Sequence, residues 1–176
     1  MEVECEKLLD NLQQIDEYEF EHLIAKLWER YGWTTQVTTG SNDRGVDAVA
    51  EKDMPFYQKH LIQVKRWSSG NTVGAPDIQQ YSSLRHRGTD VDSVVVVTTS
   101  EFSRQAKEEA KDLNVKLVDG ANLCDIIKER GSETLISRYT SLDEQSGESK
   151  TGELVEQQAS EKLIKCRYCG EIFEEE

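Results

Sequence analysis

A carboxylate, an amide and an ammonium fall close together in sequence in the first half of this 176-residue chain. Asp47 follows Gly45-Val46, and Gln63-Val64-Lys65 lies further on, between His60-Leu61-Ile62 and Arg66-Trp67. Both segments read as strands. Side chains alternate along a strand, so Gln63 and Lys65 point to one face. An apolar face does not accept an unpaired lysine cheaply. If Asp47 faces the same way on the neighbouring strand, the trio can hold a hard divalent cation through oxygen ligands and orient a water against a phosphodiester. The lysine can stabilise charge developing on the phosphorane or help activate the attacking water. Gln-x-Lys alone is a weak pattern, and a half-exposed strand carrying both residues incidentally accounts for it as well.

The elements that must position these residues are legible from periodicity. Residues 2–14 read as an amphipathic helix with Val3, Leu8, Leu9 and Leu12 on one side. Asp16 is placed to cap a second helix, with Glu19 at the capping-box spacing. Phe20, Leu23, Ile24, Leu27, Trp28 and Tyr31 form its apolar stripe, and Gly32 stops it. Strands are predicted at Trp33–Thr39, Val46–Glu51 and His60–Trp67, the first two separated by the turn residues Gly40-Ser41-Asn42-Asp43. Pro76 suits a first helical turn, so a helix of about 77–87 follows. Val94-Val95-Val96-Val97 is a continuous apolar run, expected of a strand buried on both faces. Ser100 is predicted to cap a helix over 102–113, Val115–Val118 to form a strand, and Asp119 or Gly120 to open a helix ending near Arg130. This order predicts a mixed α/β sheet covered on both faces.

Composition bounds the rest. No apolar run reaches the length of a membrane span, and the acidic start Met1-Glu2-Val3-Glu4-Cys5-Glu6 is unlike a signal peptide. The four cysteines show no framework spacing, so a reducing cytoplasm without disulfides is expected. The net charge of −13 is unevenly spread. Residues 1–140 hold 24 acidic and 17 basic side chains, residues 141–176 hold 10 and 4, but the stretch from Arg44 to Arg87 holds 4 and 7. The middle is therefore mildly basic, and local field matters more than total charge for binding a polyanion. Arg44, Lys59, Arg66, Arg85, His86 and Arg87 are candidate phosphate contacts. Residues 1–140 are expected to form one folded domain and 141–162 an acidic flexible linker. Residues 163–176 form a short tail whose Cys166-Arg167-Tyr168-Cys169-Gly170 has the form of half a zinc ribbon. Cys166 and Cys169 supply two zinc ligands of the four needed, so zinc would have to be shared across a dimer, or the pair is a remnant.

The wider pattern adds specificity. Glu19-Phe20-Glu21, Tyr31-Gly32-Trp33, Gly40 to Asp47 and Ile62-Gln63-Val64-Lys65-Arg66 occur in that order, followed by Val96-Val97-Thr98-Thr99, Phe102-Ser103, Ala106 and Val118-Asp119-Gly120. Over roughly residues 16–130 this resembles the catalytic domain of Mrr-type restriction endonucleases, of the PD-(D/E)xK nuclease superfamily, with glutamine in place of the usual second acid. The resemblance implies a restriction-endonuclease-like mixed central sheet flanked by helices. It implies Asp47 as the metal-binding aspartate, Gln63 and the backbone carbonyl of Val64 as further ligands, Lys65 as the catalytic lysine, and Glu21 as the helix glutamate completing the site. Gly45 keeps the turn before Asp47 tight, and Asp43 occupies an acidic position of that turn. The implied activity is endonucleolytic cleavage of double-stranded DNA, often modified DNA, with Mg2+ (or Mn2+), in a cytoplasmic protein, by a homodimer where both strands are cut. The alternatives are a repair nuclease or junction resolvase of the same superfamily, or a DNA-binding module that has lost catalysis.

Overall fold

In the computed structural model the described residues are 2–38, 45–68, 70–87, 90–129 and 133–140, with two short strands near the C-terminus. They run α1 (Glu2–Gln14), α2 (Glu17–Arg30), β1 (Thr34–Val37), β2 (Ala48–Lys52), β3 (Gln58–Lys65), β4 (Thr72–Val73), α3 (Ala75–Ser82) and a 3-10 turn (Ser83–Arg87). Then come β5 (Ser93–Thr98), β6 (Glu101–Phe102), α4 (Arg104–Asp112), β7 (Val115–Val118), α5 (Gly120–Glu129) and α6 (Glu133–Thr140). Contacts divide the chain into units 1–146 and 147–176. In the second, β8 (Ile164–Lys165) and β9 (Ile172–Phe173) pair antiparallel. Cys166 and Cys169, the two predicted zinc ligands, lie outside the described residues, as does the whole of the predicted linker.

Five strands form the central sheet in the order β1-β2-β3-β5-β7. β1, β2 and β3 are antiparallel neighbours, while β3, β5 and β7 run parallel, so the sheet is mixed as predicted. The central parallel strand β5 is buried along its whole length, which its run of valines requires. Alternation sends its side chains into two cores. Val95 and Val97 join Ile62, Val64, Phe20, Leu23, Ile24, Leu12 and Leu123 beneath α1, α2 and α5. Val94 and Val96 join Leu61, Ile78, Tyr81, Ala106 and Ala110 beneath α3 and α4. The site lies where the start of β2 meets the end of β3.

Several boundaries differ from expectation. Asp16 does cap α2 as expected, its carboxylate accepting the Tyr18 amide at 2.9 Å. α3 starts at Ala75 with Pro76 in its first turn, and tightens to 3-10 after Ser82. Ser100 does not cap α4: it is buried with its hydroxyl on the Asn71 carbonyl, and Ser103 caps instead, accepting from the Ala106 amide at 3.1 Å. The residues between form β6, which pairs with β4 in a small parallel sheet. Two-residue strands carry too little periodicity to be read from sequence. α6 was not foreseen either; its Ile136 seals the first core.

The expectation about cysteines is overturned. Cys5 on α1 and Cys124 on α5 form a disulfide, with Cα atoms 5.9 Å apart and 119 residues between them in sequence. No local spacing announces such a pair; it exists because α1 packs against α5. The cysteines therefore no longer argue for a reducing compartment. Among the described residues no helix is long and apolar enough to cross a membrane.

Gly120 shows how closely the first helix, the sheet and α5 approach. A Cβ built there would lie 2.9 Å from the Thr99 carbonyl oxygen and 3.0 Å from Leu9 Cδ1. Backbone cannot yield as a side chain does, so Gly120→Ala is expected to destabilise the domain by about 1–3 kcal/mol. Urea unfolding checks this, and an unchanged midpoint contradicts the close approach.

Candidate active site

The antiparallel register of β2 and β3 decides the geometry. Ala48 pairs with Ile62, and both side chains enter the core under α2. Asp47 therefore faces the other side of the sheet, as Gln63 and Lys65 do. Asp47 sits one residue before β2 and not within it, but its backbone extends the ladder: its N–H donates to the Ile62 carbonyl and its carbonyl accepts the Thr38 amide, each at 2.9 Å. Gly45 makes the turn before it with φ +87°, a conformation that other residues adopt only with strain. Asp43 and Arg44, nearby in sequence, lie outside the described residues.

Asp47 Oδ2 accepts two hydrogen bonds of 2.6 Å, from Gln63 Nε2 and from the Val64 amide. In an extended strand a residue's N–H and C=O point to the same side, so the Val64 carbonyl also looks toward the Asp47 edge of β3. Gln63 is 3% exposed, and its buried Oε1 has no hydrogen-bond partner among the described residues. A buried, unpaired amide oxygen costs free energy, which a water or a cation would offset.

Glu21 on α2 belongs to the same electrostatic system. Burial raises its pKa to about 7, helped by the charges of Asp47, Glu17 and Asp16, while Lys65 pulls it down. Asp47 is raised to about 6, again chiefly by burial; the Val64 hydrogen bond and Lys65 oppose this, and Glu17 adds to it. Two carboxylates both held above the usual range mark a place deficient in positive charge. Among the described residues no three His, Cys, Asp or Glu side chains are gathered to hold an ion by themselves. An ion here would complete its shell from amide and carbonyl oxygens, and the unpartnered Gln63 Oε1 beside Asp47 fits that requirement.

Other predicted residues fall elsewhere. Arg66 donates to the Gln13 carbonyl at the end of α1, and Arg85 donates to the Asp92 carbonyl. Lys59 pairs with Glu51 at 2.9 Å. The side chains of Arg44 and Arg87 are outside the described residues, and His86 is exposed. Trp67, which follows Lys65 and Arg66, packs against the second core. Two residues near the site escaped the sequence reading. Glu17 stands one helical turn before Glu21, a spacing that could have flagged it. Tyr81 belongs to no motif, yet Lys65 Nζ lies 5.8 Å from its ring centroid.

The mixed sheet, with an acid, an amide and a lysine at the junction of two strands, has the restriction-endonuclease fold. The profile of a restriction endonuclease family, the Mrr catalytic domain, matches residues 12–127, and the chain belongs to that family. Among solved structures it is similar to the DNA modification-dependent restriction endonuclease AspBHI (19% identity, TM-score 0.61, covering 81% of this chain and 40% of that one). It is also similar to the MspJI restriction endonuclease in complex with a 27-mer oligonucleotide (20% identity, TM-score 0.57, covering 79% and 35%). A third likeness is to AF1548, a protein of unknown function (21% identity, TM-score 0.52, covering 66% and 67%). At these identities the likenesses establish the fold, and this chain spans well under half of AspBHI and MspJI. No curated protein matches the chain in sequence.

Proposed function

We propose that this domain is a metal-dependent endonuclease that hydrolyses phosphodiester bonds of double-stranded DNA, in restriction or in the cleavage of modified DNA. The observation that carries the proposal is the convergence of Asp47, Gln63 and Lys65 on one face, with Gln63 Oε1 buried beside the Asp47 carboxylate and unpartnered among the described residues. Membership of a restriction endonuclease family supports the reaction class. AspBHI is modification-dependent and MspJI has been seen with an oligonucleotide, which supports DNA, including modified DNA, as substrate.

Asp47, Gln63 Oε1 and the Val64 carbonyl would hold Mg2+ (or Mn2+), and Glu21 would support it directly or through a water. The cation supplies Lewis-acid activation of water and neutralisation of phosphate charge. Lys65 places its ammonium where negative charge accumulates on the scissile phosphate, or orients the attacking water. Water is the nucleophile, so no covalent enzyme intermediate forms. Arg44 and Arg87, with Arg66 and Arg85 where their remaining donors reach, would contact the DNA backbone. Cutting both strands calls for two such domains, hence a homodimer.

Supercoiled plasmid tests the proposal directly. Nicked and linear products are expected with Mg2+ and absent with EDTA; intact plasmid in both, with duplex DNA still bound, assigns the fold to binding alone. Running methylated and unmethylated plasmid side by side tests the modified-DNA reading. Because an amide brings no charge, Gln63→Glu is expected to bind Mg2+ about tenfold more tightly by calorimetry, since ligand charge sets affinity for hard cations. Weaker binding in that variant removes Gln63 from the ligand set.

A further inference from the structure

Lysine is a poor tool for placing a charge, because its four-carbon stem leaves the ammonium many rotamers. A catalytic lysine therefore needs something to hold it. Among the described residues Lys65 has no hydrogen-bond or ion-pair partner on its ammonium. The group set against it is the ring of Tyr81, with Nζ 5.8 Å from the centroid. That is at the outer edge of the range, about 6 Å, in which a ring face attracts a cation. Tyr81 is itself held: it is 7% exposed, sits on α3, and packs in the second core with Ile78 and Leu61.

We infer that Tyr81 is a positioning residue, whose ring face holds the Lys65 ammonium in register with the Asp47–Gln63 site. The inference rests on the reading of Lys65 as the catalytic lysine, and it deepens that reading. The ring, not the hydroxyl, does the holding. Burial, with the charges of Asp77 and Asp47, pushes the Tyr81 hydroxyl up to about 12, so it stays protonated at working pH and is no acid–base partner for the lysine. Placing the anchor on α3 has a consequence for construction. β3 supplies the lysine and a helix of the opposite layer supplies its rest, so the ammonium is located by packing between layers instead of by a charged partner that would neutralise it.

Two measurements test this. In the first, lysines are reductively methylated with 13C-formaldehyde, and Lys65 is assigned by the signal lost in Lys65→Arg. The ring current of Tyr81 should displace the Lys65 signal upfield of exposed lysines, in wild type and in Tyr81→Phe, and the displacement should vanish in Tyr81→Leu. This readout needs no cleavage activity, so it stands whether or not the nuclease reading does. In the second, single-turnover cleavage by Tyr81→Leu should fall about tenfold in rate, with DNA affinity within about twofold, the size expected of a partly desolvated cation–ring contact. Tyr81→Phe should recover the rate to within about threefold of wild type, as a role for the ring requires. A wild-type Lys65 signal at the position of exposed lysines overturns the inference, as do equal losses in Phe and Leu. Should Tyr81→Leu fail to fold, the wild-type and Phe spectra still decide it.

Discussion

Lys65→Ala is expected to slow DNA cleavage by about a hundred- to a thousandfold, the range for removing one preorganised donor from a developing negative charge. The loss should appear in the single-turnover rate and leave DNA affinity nearly unchanged, because backbone contacts elsewhere supply most binding. Lys65 makes no ion pair among the described residues, so its removal breaks no charged pair and should leave the fold intact. Its charge does lower the pKa of both Asp47 and Glu21. The variant's carboxylates should therefore titrate higher, and its acid limb of Mg2+ binding should move to higher pH. A cleavage rate within threefold of wild type would remove Lys65 from the chemistry.

Asp47→Asn should separate function from stability in opposite directions. Asp47 would be a direct ligand, so losing its charge should weaken Mg2+ binding by more than the roughly 10–100-fold that loss of an outer partner causes. Stability without metal should rise at the same time. The folded-state pKa of Asp47 is about 6, above its ordinary 3.8, so the folded protein holds that proton more tightly than the unfolded chain does. The contribution is favourable below the ordinary value and is lost as pH climbs through about 6; at pH 8 the ionised group opposes folding. Asparagine carries no such charge, and its amide oxygen can still accept from Val64 N–H or Gln63 Nε2. We expect the variant to be more stable at pH 8 in EDTA by about 1–2 kcal/mol, a figure reduced for partial solvent screening, with the gap closing toward pH 4. In wild type, Mg2+ affinity should rise between pH 5.5 and 8 as Asp47 and Glu21, at about 6 and about 7, give up protons that compete with the ion. A pH-independent affinity, measured by calorimetry, would separate these carboxylates from the metal.

Much of this protein is written in local pattern. Alternation places Gln63 and Lys65 on one face, the valine run makes β5 a strand sealed on both sides, and the stripe of Phe20, Leu23, Ile24 and Leu27 makes α2 a core helix. These follow from periods of two and of 3.6 residues, which depend only on the chain's own geometry. The order of motifs identifies the family for the same reason, since spacing along the chain survives without coordinates.

Which elements meet is a different kind of information. Only the β2–β3 register brings Asp47 to the side of Gln63 and Lys65, and a slip of one residue would have put the carboxylate in the opposite core. Tertiary packing alone brings Tyr81 to Lys65, Glu21 to Asp47, and Cys5 to Cys124. It also turns Arg66, which reads as a phosphate contact, toward the end of α1. Local sequence decides what each segment is and which way its side chains face. Long-range burial decides which faces come together, because that free energy belongs to pairs of surfaces and not to any one segment.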